Sequence, residues 1–243
     1  MVLKLYAVPG SHPSACVEAA LRLKGVPYER VDLITGLHVA QQAARFGKRT
    51  VPAIAGDGVK MTGSGAILRW LDGAAPKPPL FPADPERRAR VEEAESWGEE
   101  VLQPAARRIS WAALRRDSSN VASYLEGAQL PIPANVAVRA TPLVTPFVRW
   151  LNKAGDDNVR EDLRALPGWL DRVDAWVADR TIGGQKPNAA DLQIGSSLAL
   201  LSTFGDLRPL LEDRPAARVV ERAFPDFPGQ TPAGALPADW LPR

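Results

Sequence analysis

Four side chains able to do acid–base or nucleophilic chemistry crowd one short stretch of the chain: Ser11, His12, Ser14 and Cys16. They follow an alternating apolar run, Leu3–Val8, which Pro9-Gly10 ends. They lead into Val17, Ala20, Leu21 and Leu23 at helical spacing. A strand-to-helix junction aims unpaired backbone N–H groups and the positive end of the helix dipole at whatever binds there. Such a place suits an anion. A hydroxyl that donates to a bound sulfur favours the thiolate, which is the nucleophilic form. Ser11 stands where it could do this, as an activator and not as the nucleophile; a plain helix cap is the other role open to it. Cys16 is the one cysteine. It is either a redox thiol activated near a helix start or a small residue filling the core. His12 offers a base beside Ser11, although neighbours before a helix point in different directions.

The same inventory excludes several chemistries. One cysteine allows neither an internal disulfide nor a cysteine metal cage. The two histidines, His12 and His38, have no metal-ligand spacing, so no metal is expected. Thirty basic against 28 acidic side chains leave a net charge of +2, too balanced to suggest nucleic acid. The first residues lack a signal-like apolar core, and no apolar run approaches bilayer length. A cytoplasmic protein without a membrane partner is expected. At 243 residues, with 45% hydrophobic and 24% charged side chains, the chain has enough for one large or two small globular domains.

Several elements position these groups. Pro13 sits where a helix begins, and Gly25 ends that helix. Tyr28–Leu33 alternates again, completing a β-α-β start with a parallel pair of strands. Gly36–Gly47 reads as loop plus short helix. Thr50–Ile54 is a strand interrupted by Pro52, hence an edge strand or a proline with a special task. Gly56-Asp57-Gly58 predicts a hairpin turn, and Val59–Met61 the return strand. A helix follows from Ser64. The prolines between Ala74 and Pro85 form a stiff linker. We therefore divide the chain into residues 1–75, a linker 76–89, and a helical part 90–243.

Beyond the linker, Arg87–Arg116 reads as one helix and Asp117–Pro133 as irregular, a lid or an interface. Val136–Asn152 reads as helical but broken at Pro142 and Pro146. Val159–Val177 is strongly amphipathic, and Ala189–Thr203 is the central buried helix. Leu210–Ala223 is one more helix, before a Pro-rich tail that wraps the surface.

Four motifs in this order resemble the glutathione transferase superfamily over nearly the whole chain. They are Leu5-Tyr6 with Gly10-Ser11-His12-Pro13-Ser14 and the stretch Ala20–Glu29 that follows; Thr50-Val51-Pro52-Ala53-Ile54; Gly63-Ser64-Gly65-Ala66-Ile67; and Asn188-Ala189-Ala190-Asp191. The resemblance implies an α/β thioredoxin-like N-terminal domain with an all-α C-terminal domain. It also implies transfer of glutathione, or another low-molecular-weight thiol, to a small-molecule electrophile, often by a homodimer. It places Ser11 at the serine position of serine-type members, with Ser14 as the runner-up. It makes the Val51–Pro52 bond cis, so that Val51 pairs with the peptide backbone of the thiol. It makes Ser64 cap the third helix and hold a γ-glutamyl carboxylate. Gly63 departs from the family, which has Glu or Gln there to receive the ligand's amino group; another residue supplies that acceptor, or the thiol is not glutathione. His38 falls in the loop that in relatives contributes to the thiol-peptide site; it, Lys48 or Arg49 contacts a carboxylate, or each is a solvated loop charge. Trp97, Val101, Arg108 and Trp111 fall where the electrophile is held, or else fill the core. Asn188 and Asp191 read as a structural capping box. The superfamily also holds thiol-dependent reductases and isomerases, which here would use Cys16, and non-catalytic members.

Overall fold

Leu3–Ala7 (β1) buries nearly every side chain, because it runs through the middle of a sheet. The computed structural model describes residues 2–56 and 58–242. The sheet order is β2-β1-β3-β4, with β2 at Tyr28–Asp32, β3 at Ala53–Gly56 and β4 at Val59–Thr62. β1 pairs with β2 in parallel, Leu5 opposite Arg30, and with β3 antiparallel, Leu5 opposite Ile54. β3 and β4 pair antiparallel. The turn expected between them contains Asp57, which lies outside the described residues. β3 is thus internal and not an edge strand. Pro52 does not disturb it, because the strand starts one residue later and Pro52 needs to donate nothing to the ladder.

His12–Leu23 (α1) begins with Pro13 in its first turn. His38–Phe46 (α2) and Ser64–Ala74 (α3) complete the sheet-bearing part. The helix expected over 87–116 is divided into Pro85–Trp97 (α4), a π turn at Gly98–Leu102, and Gln103–Arg116 (α5). Pro104 cannot donate within an ordinary helix. The wider π turn just before it shifts the register, with the N–H of Gln103 reaching the carbonyl of Gly98.

The irregular stretch after α5 holds one short helix, Val121–Tyr124 (α6). Ala134–Leu151 (α7) is unbroken although it contains Pro142 and Pro146. Its inner face is anchored by buried Thr141, Thr145 and Val148, and this packing overrides the missing donors. Asp156–Ala178 (α8) and Ala189–Ser202 (α9) follow. The helix expected over 210–223 is two short ones, Arg208–Leu211 (α10) and Ala217–Ala223 (α11), with Pro215 between them.

α9 is the centre of the molecule. All of its residues except Ser202 are buried, and it packs on α1, α4, α5 and α11. The Asn188 side chain accepts from the N–H groups of Ala190 and Asp191. The Asp191 carboxylate accepts from those of Asn188 and Gly183. The tail is more than a surface wrap: Phe224, Leu236 and Trp240 are buried in the core.

Candidate active site

Where α1 meets α5, α6 and α7, a cleft of about 160 Å³ opens to solvent. Ser11 lies at its floor as the N-cap of α1. The Ser11 oxygen accepts from the Ser14 N–H at 3.4 Å and from the Ser14 hydroxyl at 3.0 Å. Both contacts use Ser11 as acceptor, so its own O–H stays available for a third partner. Ser14 itself is buried and does not line the cleft. The bend before Ser11 needs Gly10, whose φ is +72°. A side chain there would also press on the Tyr124 ring, which forms part of the wall.

Gln103, the first residue of α5, ties three elements together. Its carbonyl accepts from His12 Nε2 at 3.2 Å, its Nε2 donates to Ser64 Oγ at 3.2 Å, and its Oε1 accepts from Arg107 Nη2 at 3.1 Å. The carbonyl can only accept, so His12 carries its proton on Nε2. Burial, helped by the Arg107 charge, holds His12 well below the ordinary histidine range, and it is neutral. His38 also lines the cleft, with Nδ1 accepting from the Gly36 N–H. Burial lowers its pKa too.

Arg107 has no carboxylate partner among the described residues. Burial, with the neighbouring Arg108 charge, pushes its pKa down to about 10. Arg49 also lines the cleft, and among the described residues no Asp or Glu does. The cleft therefore presents two guanidinium groups, a free hydroxyl and the N-terminus of α1, all of which favour a negative charge.

Other expected residues are placed differently. Val51 reaches the cleft, and the Val51–Pro52 bond is cis. Pro52 lies behind it, outside the lining. Ser64 does not cap α3; Gly63 is the N-cap and Ser64 the first helical residue, buried with its hydroxyl on Gln103. A glycine holds that cap because φ is +93°, a left-handed value that a side chain strains to adopt. Next to it, the Glu99 carboxylate accepts from the Gly65 N–H at 3.3 Å. Glu95 beside it pairs with Arg69 through two hydrogen bonds. A side chain at Gly65 would collide with both carboxylates.

Trp111 lines the cleft, but Trp97 and Val101 do not. Trp97 is half-buried and packs edge-on against Trp176 at the border of the core, with centroids 5.2 Å apart. Arg108 turns away and grips Asp162 with two hydrogen bonds of 2.6 and 2.7 Å. Cys16 is fully buried, with Sγ donating to Gln193 Oε1. Burial and the nearby Glu95 and Glu99 push its thiol pKa up, the opposite of activation. Sequence reasoning missed Glu99 on the π turn and Gln103 and Arg107 on α5, far along the chain from Ser11. Their polar character one turn apart was the only signal.

A family model described as the glutathione S-transferase N-terminal domain matches residues 5–79. Over those residues, less than half of its length, the chain is similar to that family's N-terminal domain. Its fold is that of glutathione transferase F7 from Populus trichocarpa. The TM-score is 0.64 at 17% identity, covering 93% of this chain and 97% of that one. It is similar to glutathione S-transferase Z2 of Arabidopsis thaliana, 38% identical over 108 residues, which are 42% of this chain and 47% of that protein. It is also similar to a maleylpyruvate isomerase of Ralstonia sp., 36% identical over 92 residues, 37% of this chain and 43% of that protein. The chain thus matches less than half the length of these two curated relatives.

Proposed function

We propose that this chain is a glutathione transferase-like enzyme that adds a low-molecular-weight thiol, glutathione foremost, to an electrophile in the cleft. The observation that carries it is Ser11, an N-cap whose oxygen accepts twice and whose proton remains free. That hydroxyl donates to the sulfur and favours the thiolate, with the α1 dipole adding to the effect. Ser14 positions Ser11 and does not touch the sulfur. Val51 pairs with the thiol's peptide backbone, and His38 or Arg49 meets its terminal carboxylate. Ser64 at the start of α3 receives the γ-glutamyl carboxylate, beside the Gly65 N–H that Glu99 already occupies. Gly63 brings no acceptor for the ligand's ammonium, and Glu99, already at the Gly65 N–H, supplies one. Arg107 favours an electrophile that carries a negative group, because among the described residues its charge meets only the neutral Gln103 side chain.

Residues 1–75 contribute the thiol half and residues 90–243 the electrophile half, joined by 76–89. A cytoplasmic homodimer completes the proposal. A thiol-dependent isomerase using the same site is the second reading, favoured by Arg107 and by the similarity to a maleylpyruvate isomerase. It would use the bound thiol and not Cys16, whose surroundings keep it protonated.

Titration calorimetry with glutathione, beside an unrelated cellular thiol such as mycothiol, tests this assignment. Saturable glutathione binding that weakens roughly ten-fold or more in Glu99→Gln is expected, from loss of a charge-assisted bond. Binding of neither thiol would leave a non-catalytic scaffold of the same fold.

A further inference from the structure

The outer face of α7 is apolar and unpartnered within the chain. Val136, Leu143, Phe147 and Trp150 recur at steps of three, four and seven, which puts them on one side of the helix. Leu143 is 82% exposed, Trp150 73%, Val136 47% and Phe147 45%. The Phe147 and Trp150 rings stack at 6.2 Å. Leu37, 58% exposed, stands beside Gly36, which packs on Val144 of the same helix. Among the described residues no other surface element shows such a run, and contiguous exposed patches of large apolar residues mark a contact surface.

Charge indicates what covers it. α7 contains no acidic residue. Arg139 is exposed in the first half of the helix, in step with the apolar stripe, and Lys153 is exposed just beyond the helix end. Arg149, by contrast, is turned inward onto Asp156 and the Ala154 carbonyl. A second copy is a poor occupant. In a two-fold pairing the stripe meets itself. With the helices antiparallel, Arg139 of each copy falls beside the Trp150–Lys153 end of the other; with them parallel, Arg139 meets Arg139. Cation faces cation either way.

We propose that α7 is a docking face for an anionic phospholipid surface, with Leu143, Phe147 and Trp150 entering the headgroup region and Arg139 and Lys153 meeting lipid phosphates or carboxylates. Trp, Phe and Leu on one stripe with flanking cations are the composition of helices that lie in the interface plane. Among the described residues no helix is long and apolar enough to cross a membrane, so the contact is peripheral. Pro142 and Pro146, exposed on this face, leave two backbone carbonyls of the helix without their usual donors. Those carbonyls keep the helix at the hydrated headgroup level. The inner face of α7 lines the cleft through Val148 and Leu151. The docked helix would stand between the lipid surface and the cleft, an arrangement that suits an apolar substrate drawn from the membrane. The proposal concerns binding and holds whatever reaction the cleft performs.

Co-sedimentation of the full chain with vesicles tests it, using phosphatidylcholine alone and phosphatidylcholine mixed with phosphatidylserine. Binding to the mixed vesicles and a blue shift of tryptophan emission are expected, with little binding to phosphatidylcholine alone. Leu143→Gln/Trp150→Gln should lower partitioning roughly ten-fold or more, by the usual cost of keeping such side chains in water. Arg139→Gln and Lys153→Gln should each lower it roughly five-fold. All four side chains are exposed, so far-UV circular dichroism and the unfolding midpoint should not change. Absence of binding to either vesicle, or binding that the Leu143 and Trp150 changes leave intact, would overturn the proposal. So would a dimer in sedimentation velocity that those changes dissociate while vesicles bind nothing.

Discussion

Replacing Asp191 by alanine should destabilise the whole chain, because its carboxylate holds the start of the central helix. The two oxygens accept from the N–H groups of Gly183, at 2.6 Å, and Asn188, at 2.9 Å, in a buried position. Asp191→Ala leaves both donors without a partner. Each unsatisfied buried group costs about 1–3 kcal/mol, giving about 2–6 in all. Part of that is returned, since burial makes the carboxylate unfavourable and pushes its pKa up. A net loss of about 2–4 kcal/mol is expected, more than an ordinary helix cap is worth. Asp191→Asn keeps one acceptor oxygen and should lose about half as much. Urea unfolding followed by far-UV circular dichroism reads the difference directly. A loss below about 1 kcal/mol would refute the reasoning. An unchanged midpoint with lost turnover would do so as well, by making Asp191 part of the chemistry.

Two further outcomes follow from the buried groups. His12 is neutral in the folded chain and titrates near 6.5 when unfolded, so the folded state binds fewer protons. Its contribution is complete above that pH and is lost as the pH falls below it, by up to about 1.4 kcal/mol per pH unit. His12→Gln should flatten the acid limb of the stability curve, with some slope remaining from His38; an unchanged slope would show that His12 is not buried neutral. Cys16 should resist thiol reagents in the native chain and react only after unfolding, and Cys16→Ala should keep full turnover. Rapid native labelling, or activity lost with the thiol, would restore a redox role.

The first half of the fold is legible because its signals are local. Alternation marks β1 and β2, Pro13 marks the entry to α1, and Asn188-Ala189-Ala190-Asp191 announces the capping box at the helix that becomes the core. Prolines were less readable. Pro52 forbids an internal strand only if the strand runs through it, and β3 starts at Ala53. Pro142 and Pro146 predict a break that packing of Thr141, Thr145 and Val148 overrides, whereas Pro215 does divide a helix. Of the expected residues, Ser11 and Val51, which sit on local motifs, line the cleft, and so does His38. The other half of the candidate site was not legible. Gln103 meets His12 across 91 residues and Ser64 across 39, so docking of α5 on α1 and α3 makes these contacts and no spacing records them. Glu99 reaches Gly65 from the π turn, whose register depends on Pro104. Arg107 differs from Arg108 by one residue, and helix rotation alone sends one into the cleft and the other to Asp162.

The central claim is that the Ser11 hydroxyl favours a bound thiolate. The most direct measurement is the ultraviolet absorbance of the thiolate of bound glutathione, titrated with pH for the wild type and for Ser11→Ala. The bound thiol should ionise below the ~8.5 of a free thiol in the wild type. Loss of one hydrogen bond to the charged sulfur should move it up by roughly one to two pH units in Ser11→Ala, with binding retained. The same ionisation in both proteins, at the free thiol's pH, would contradict the account.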